Sequence, residues 1–553
     1  MRKGFFKRTL ATVLCFCMAA AVLAGCGGKS SDSKEVTKND VAGIAGYKAF
    51  KNQVTIDIPV YDRGKEGVPD VSNNYWTKWI NENFGKTYNV QVNFVPITRS
   101  DVLTSYSLLA AAGKLPTILM EYDYPKQAQW AEDGYLAEYD LDVFANIAPT
   151  YYKRMVDLDQ IKFTKMNGKT YFALAERPYS NSGYTFVTWY REDWVKAVGY
   201  DKWPTTWAEQ KDCLQKIVDK GLCAHPLGGS MVTGAGVDQN YAYRTYPQNE
   251  LDWAMYGDYN VPALSSAANK ALLKRVNEQY NLGFIDPEYY LTSSTDAAAN
   301  FVNGKSMFYS AYIAANMPDL TAFYENNPDG KLAVQVCTGL ETDAEGGTTN
   351  AFRPDNPFGM MVSFSSQASG DQIKAAMMYM EWLTQPENLF TFQWGFEGEH
   401  YTKGADGLPV SVADYSGDKT QGFNNSKDYW CVTIEARNAG TIEQIIAQNS
   451  PKGLPQDFTQ QIIDNYYGKV KVWQAGYANN DCMFATSISA EATYAQTLYS
   501  LYTEYRDKLT MCKPGEFDAL YTDLSSKYLS QGYQAIIDER KAAYDKGLCT
   551  KLK

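Results

Sequence analysis

The chain has 553 residues, more than one hydrophobic core usually serves, so two or more lobes are expected. Lys and Arg number 52 against 63 Asp and Glu, a formal net charge of −11. Such acidity argues against nucleic acid, which is held by clustered basic side chains.

At the start, Arg2, Lys3, Lys7 and Arg8 form a cationic stretch, and Leu10 to Val22 is apolar or small apart from Thr12. A bilayer takes about 20 apolar residues to span, so this run is too short and fits a secretory signal instead. Leu23-Ala24-Gly25-Cys26 follows and resembles the bacterial lipobox, in which Cys26 is acylated and becomes the first residue of the mature chain. A stable anchor needs more than one acyl chain, which a diacylglyceryl thioether supplies. Residues 1–25 are thus expected to be a lipoprotein signal, and residues 26–49, rich in Gly, Ser, Lys and Asp, a flexible tether. The expected location is the outer face of the cell membrane. No later apolar run is long enough to span.

Val54, Ile56, Ile58 and Val60 alternate as a strand, and Tyr61-Asp62-Arg63-Gly64 reads as its loop. Trp76, Ile80 and Phe84 form the stripe of a helix that Gly85 is expected to end. Val90, Val92 and Phe94 alternate as a second strand. A helix over residues 101–112 stops at Gly113, and Thr117 to Met120 is a third strand. This β-α-β-α-β order predicts an α/β lobe with parallel strands. Ligands of such sheets sit beyond the carboxyl ends of the strands, which selects Asp62, Arg63, Glu121 and Tyr122.

Asn167-Gly168 predicts a type I′ hairpin. Thr185 to Tyr190 reads as a strand, with Arg191-Glu192-Asp193-Trp194 opening a helix that ends near Gly199. Thr206 and Glu209 have the spacing of a capping box. Phe517, Leu520, Tyr521, Leu524 and Tyr528, then Tyr533, Ile536, Ile537 and Tyr544, keep helical spacing on either side of Gly532.

Several of these segments resemble the family 1 extracellular solute-binding proteins, in their large lipoprotein branch. The resemblance is carried by Leu108-Leu109-Ala110-Ala111-Ala112-Gly113-Lys114-Leu115-Pro116, with Thr117 where Asp is usual. It continues through Gly134-Tyr135-Leu136, Asn167-Gly168-Lys169-Thr170-Tyr171, Tyr190-Arg191-Glu192-Asp193-Trp194, Pro204-Thr205-Thr206-Trp207, Phe301-Val302-Asn303-Gly304-Lys305 and Trp394-Gly395 to His400-Tyr401. It implies an α/β, periplasmic-binding-protein-like fold of two lobes, with a hinge and a ligand cleft between them. It implies crossings at Thr185–Tyr190, near Phe358–Ser363 and near Asp414–Asp428. Lobe 1 would then be residues 50–187 and 358–415, and lobe 2 residues 188–357 and 416–553. The implied function is capture of a sugar or oligosaccharide by lobe closure, and delivery to the permease subunits of an ABC importer by a monomer without cofactor or metal.

Composition adds to this. The 42 Tyr, 24 Phe and 12 Trp offer flat faces for sugar rings, although many such rings simply fill cores. Beyond Cys26, seven cysteines remain, an odd number without a C-x-x-C, and Cys213–Cys223 is the one pairing proximity suggests. Enzyme signatures fail. His225 and His400 are the only histidines, Ser230 misses the last Gly of G-x-S-x-G, and neither Gly168-Lys169-Thr170 nor Gly304-Lys305-Ser306 has the earlier Gly of a P-loop. A peptide-binding protein, a glycoside hydrolase and a surface lectin remain as other readings.

Further site candidates follow from the implied crossing: Trp189 and Arg191 on it, and Glu176, Tyr179 and Tyr184 on the loop before it. Tyr241, Tyr243 and Arg244 follow a Gly-rich loop. Tyr309 and Tyr312 follow Phe301–Lys305, and Arg353 and Asp355 precede the return strand.

Overall fold

The computed structural model describes residues 46–64, 69–177, 186–228, 250–256, 261–312, 317–337, 358–412, 415, 417, 419, 426–435, 440–449, 456–475 and 482–551. Eight strands carry the two main sheets: β1 (Val54–Asp62), β2 (Val90–Thr98), β3 (Ile118–Glu121), β4 (Ala173–Glu176), β5 (Phe186–Arg191), β6 (Phe308–Tyr312), β7 (Leu332–Val334) and β8 (Phe358–Phe364).

The alternating apolar residues of β1 and β2 do form a parallel pair, in register from Val54 opposite Val90 to Asp62 opposite Thr98. Thr117 hooks β3 beside β1: its backbone N–H donates to Asp57 O at 2.8 Å and its hydroxyl accepts from Asp57 N at 2.9 Å. The first lobe is not wholly parallel, however. β8 arrives from far along the chain and runs antiparallel between β3 and β4. Local periodicity carries no sign of a strand inserted from that distance.

Gly85 does not end its helix. Tyr75–Ile80 runs on through a π turn, Asn81–Gly85, and a last turn, Lys86–Tyr88, and stops at Asn89 with φ of 56°. Glycine is needed at 85 because a Cβ there would lie 2.6 Å from the Val90 carbonyl oxygen. The adjoining Asn81 side chain turns to the edge of β2, where it accepts from Val92 N and donates to Val92 O, both at 2.9 Å. Thr206 does cap its helix by accepting the Glu209 N–H, but Glu209 takes the Thr206 hydroxyl rather than its backbone N–H, so the capping box is not closed. Three further local expectations hold. Gly113 has φ of 64°, Asn167 and Gly168 both have positive φ in their hairpin, and Gly532 at φ 121° separates the last two long helices.

The second sheet, in order β6-β5-β7, is antiparallel, and residues from both of its faces join hydrophobic cores. Strand alternation divides it cleanly. Tyr190, Phe308 and Ala333 join a core with the helices Glu192–Ala197 and Trp207–Asp219, whereas Val187, Trp189, Leu332 and Val334 join another with Phe323, Ile446, Phe458 and Ile462. A third core ties Ala267–Asn281 to the C-terminal helices.

Tyr429, Trp430, Cys431, Val432 and Ile434 belong to the core of the first sheet. These residues follow the expected crossing at Asp414–Asp428, and Ile446 is in the core of the second sheet. Cys213 and Cys223 are both free thiols, so the suggested pairing does not form. Among the described residues no helix is long and apolar enough to cross a membrane.

Candidate functional site

The parallel register of β1 and β2 brings their carboxyl ends level, and Thr117 sets the end of β3 beside them. The residues just past these ends meet. Tyr61 is fully buried, with its hydroxyl toward Met120 O at 3.4 Å. The Arg99 guanidinium lies 4.9 Å from the centre of its ring and 5.9 Å from that of Tyr122, within cation–π range, and Arg63 lies 5.7 Å from the Tyr61 ring.

Arg63 forms a two-pronged pair with the buried Asp428, at 3.2 Å and 2.9 Å. Burial alone would lower the Arg63 pKa, but the hydrogen bond and charge of Asp428 outweigh it and raise the pKa. Glu121 is 5 % exposed, and its Oε1 accepts the Tyr122 N–H at 2.8 Å. The Tyr61 hydroxyl is held well above its ordinary value, first by burial and then by the negative charge of Glu121.

Of the residues expected at the site, Arg63, Glu121 and Tyr122 come together here. Asp62 lies beside them on the exposed side, its Oδ1 accepting from Gly64 N. The structure adds Tyr61, Arg99 and Asp428. Arg99 was within reach of sequence reasoning, because it follows the last residue of β2 as Arg63 follows that of β1. Asp428, 365 positions from Arg63, was not.

The crossing residues have other roles. Trp189 has no exposed surface and stacks between Tyr309 and Phe458 at 6.2 Å and 5.9 Å, so its ring offers no face to a solute. Arg191 is 8 % exposed, held by Asp193 and the Gly304 carbonyl, with its guanidinium 4.2 Å from the Trp194 ring centre. Tyr309 stacks on Phe301 at 4.3 Å and donates to Asp319. Trp189 and Arg191 are thus packed within the second lobe, while Tyr309 remains partly exposed. Tyr312 ends β6 opposite Phe186. Tyr179, Tyr184, Tyr241, Tyr243, Arg244, Arg353, Asp355 and Cys26 lie outside the described residues.

Glu176 sits where the chain passes between the sheets. It is opposite Phe358 in register and bridges to Ile434, with Glu176 N donating to Thr433 O and Glu435 N donating to Glu176 O, both at 2.9 Å. Three passages thus leave the first sheet side by side, at Arg177, Phe358 and Glu435. Arg177 Nε and Glu435 Oε2 are 2.5 Å apart, each side chain 17 % exposed. Burial raises the Glu176 carboxyl, opposed by Arg154, whose Nε lies 4.0 Å away. Among the described residues no cluster of His, Cys, Asp and Glu could hold a metal ion.

Comparison with known proteins agrees with this architecture. An alginate-binding protein, AlgQ2, is 16 % identical, with 90 % of this chain and 99 % of that one covered, at a TM-score of 0.58. The substrate-binding protein FusA of S. pneumoniae, solved with kestose, is 14 % identical over 89 % and 99 %, at 0.60. The N-glycan transport solute-binding protein of Streptococcus pneumoniae is 16 % identical over 90 % and 99 %, at 0.55. At such identities the likeness shows the two-lobed fold alone. No curated protein matches the sequence. The family model described as bacterial extracellular solute-binding protein matches residues 70–389, more than half of the chain. With its strand-end cluster and its three adjoining passages between two sheets, the chain belongs to the bacterial extracellular solute-binding proteins.

Proposed function

We propose that this protein is the lipid-anchored, solute-capturing subunit of an ABC importer, and that its solute is an oligosaccharide. The observation that carries the reading is the strand-end cluster. It combines guanidinium donors, a buried carboxylate acceptor and a half-buried tyrosine ring within one surface, the set that sugar hydroxyls and sugar faces require. The solved relatives named for alginate, kestose and N-glycan support the same class.

In this reading lobe 1 comprises residues 46–177 and 358–435, and lobe 2 residues 186–337 and 440–551. Solute in the cleft touches both lobes, and only contacts that differ between open and closed forms drive closure. The closed form docks on the permease. Cys26 carries the lipid, and the residues from 27 to 45 tether the domain to the membrane, since Tyr47 already packs on the first core. The protein acts as a monomer and catalyses no reaction.

A thermal-shift screen of the mature chain tests the solute class, because a ligand that binds only the folded state raises the melting temperature. Oligosaccharides are expected to raise it and peptides to leave it unchanged. A shift with peptides and none with any oligosaccharide would reject the carbohydrate reading.

A further inference from the structure

Arg99 and Glu121 both meet Tyr122: the guanidinium lies 5.9 Å from its ring centre, and Glu121 Oε1 accepts its backbone N–H. The Arg99 guanidinium is 4.9 Å from the centre of Tyr61, and the charge of Glu121 raises the Tyr61 hydroxyl. Opposite charges beside one residue often pair, yet among the described residues these two do not, and among those residues Arg99 makes no hydrogen bond or ion pair. Each is held in place by something else. Arg99 is positioned by cation–π contact with Tyr61 and Tyr122, which uses none of its N–H donors. Glu121 is fixed through Oε1 by the Tyr122 N–H, while its Oε2 has no hydrogen-bond partner among the described residues. Glu121 is 5 % exposed, yet its Oε2 is not among the fully buried unmatched atoms, so this oxygen keeps a face to solvent that a ligand donor can reach.

Of the adjoining charges, Arg63 is satisfied by Asp428, and Asp62 lies exposed to solvent. What remains is one free set of donors and one free acceptor, with no net charge between them. A carboxylate-bearing solute would meet Arg99 favourably but would also be forced toward the buried charge of Glu121. A sugar hydroxyl donates and accepts at once, so two neighbouring hydroxyls satisfy both groups without repulsion.

We propose that Arg99 and Glu121 form a hydroxyl-reading pair, and that the solute is a neutral sugar with adjacent free hydroxyls rather than a uronate. This rests on the carbohydrate reading above and narrows it.

Calorimetry on the mature chain tests it with neutral tri- to pentasaccharides and the same sugars oxidised to carry one uronate. The neutral sugar that binds is expected to lose on the order of tenfold in affinity on oxidation, as for a hydrogen bond to a charged group replaced by repulsion. Arg99→Ala and Glu121→Gln should each weaken the neutral sugar by a similar factor. Glu121→Gln should also narrow the gap between neutral and oxidised sugar, which a merely structural role for Glu121 would not do. The neutral-to-uronate ratio of the unmutated chain needs no variant to fold. Equal or tighter binding of the uronate overturns this inference and leaves the carbohydrate reading standing. Unchanged binding by both variants does the same. Binding of peptides and of no saccharide overturns both.

Discussion

Glu381 has no exposed surface, yet it is a carboxylate in the middle of the helix Gly370–Thr384. Its place is explained by another helix. Pro149–Asp157 begins after Ala148, which has no side chain to cap it, and Glu381 Oε2 accepts the Thr150 and Tyr151 N–H groups at 3.0 Å and 3.1 Å. Burial raises the Glu381 carboxyl, and the hydrogen bonds from Thr150, Tyr151 and Gln385 only partly oppose it. The folded form therefore holds a proton more tightly than the unfolded one. Its contribution is most favourable below the ordinary carboxylate value and declines as pH rises through the raised one. Glu176 acts in the same direction. Removal of the acceptor by Glu381→Ala is expected to cost about 1–3 kcal/mol, by leaving two buried N–H groups unmatched. Glu381→Gln should flatten, without abolishing, the fall in melting temperature from acid to neutral pH. A slope identical to that of the unmutated protein would assign the effect to other carboxylates.

Between elements, the ties that matter most are those where the three passages run together. A Cβ at Gly359 would sit 3.2 Å from Glu435 Cβ and 3.3 Å from Glu176 O, so these backbones are already in close approach. Arg177–Glu435 joins the first passage to the third. Loosening that tie widens the range of lobe arrangements and lowers the fraction competent to bind. Arg177→Ala or Glu435→Ala is expected to weaken every solute by about the same factor, roughly fivefold for an ion pair worth about 1 kcal/mol. The swapped pair Arg177→Glu with Glu435→Arg should restore affinity. Calorimetry with two unrelated solutes decides it, because a solute-dependent change would mean direct contact instead. The sequence showed the strands that feed the hinge but not their meeting. Periodicity marks β1 and β2, positive φ marks Gly113 and Gly168, and the strand-end rule selects Arg63, Glu121 and Tyr122. It misplaced Trp189 and Arg191, because a strand beside a crossing looks the same whether one face is open or both are covered. It missed Asp428 and the insertion of β8, which are facts of long-range pairing that no local pattern encodes.

At the scale of the molecule, two sheets with separate cores carry the proposed solute trap, whose proposed membrane anchor is a single residue. Cys26→Ala is expected to shift the folded protein from the membrane fraction to the medium. Equal partition of both forms on fractionation would reject the lipid anchor. Tethering also crowds copies into a thin layer, where the local concentration of every exposed strand edge is high. β2 is such an edge, and an open one would let neighbouring copies add strand to strand. Asn81 occupies both hydrogen-bonding groups of Val92 with its own amide, so at that residue the edge has nothing left to offer a second chain. A side chain recruited by a π turn thereby blunts the edge to which a neighbouring copy would otherwise add.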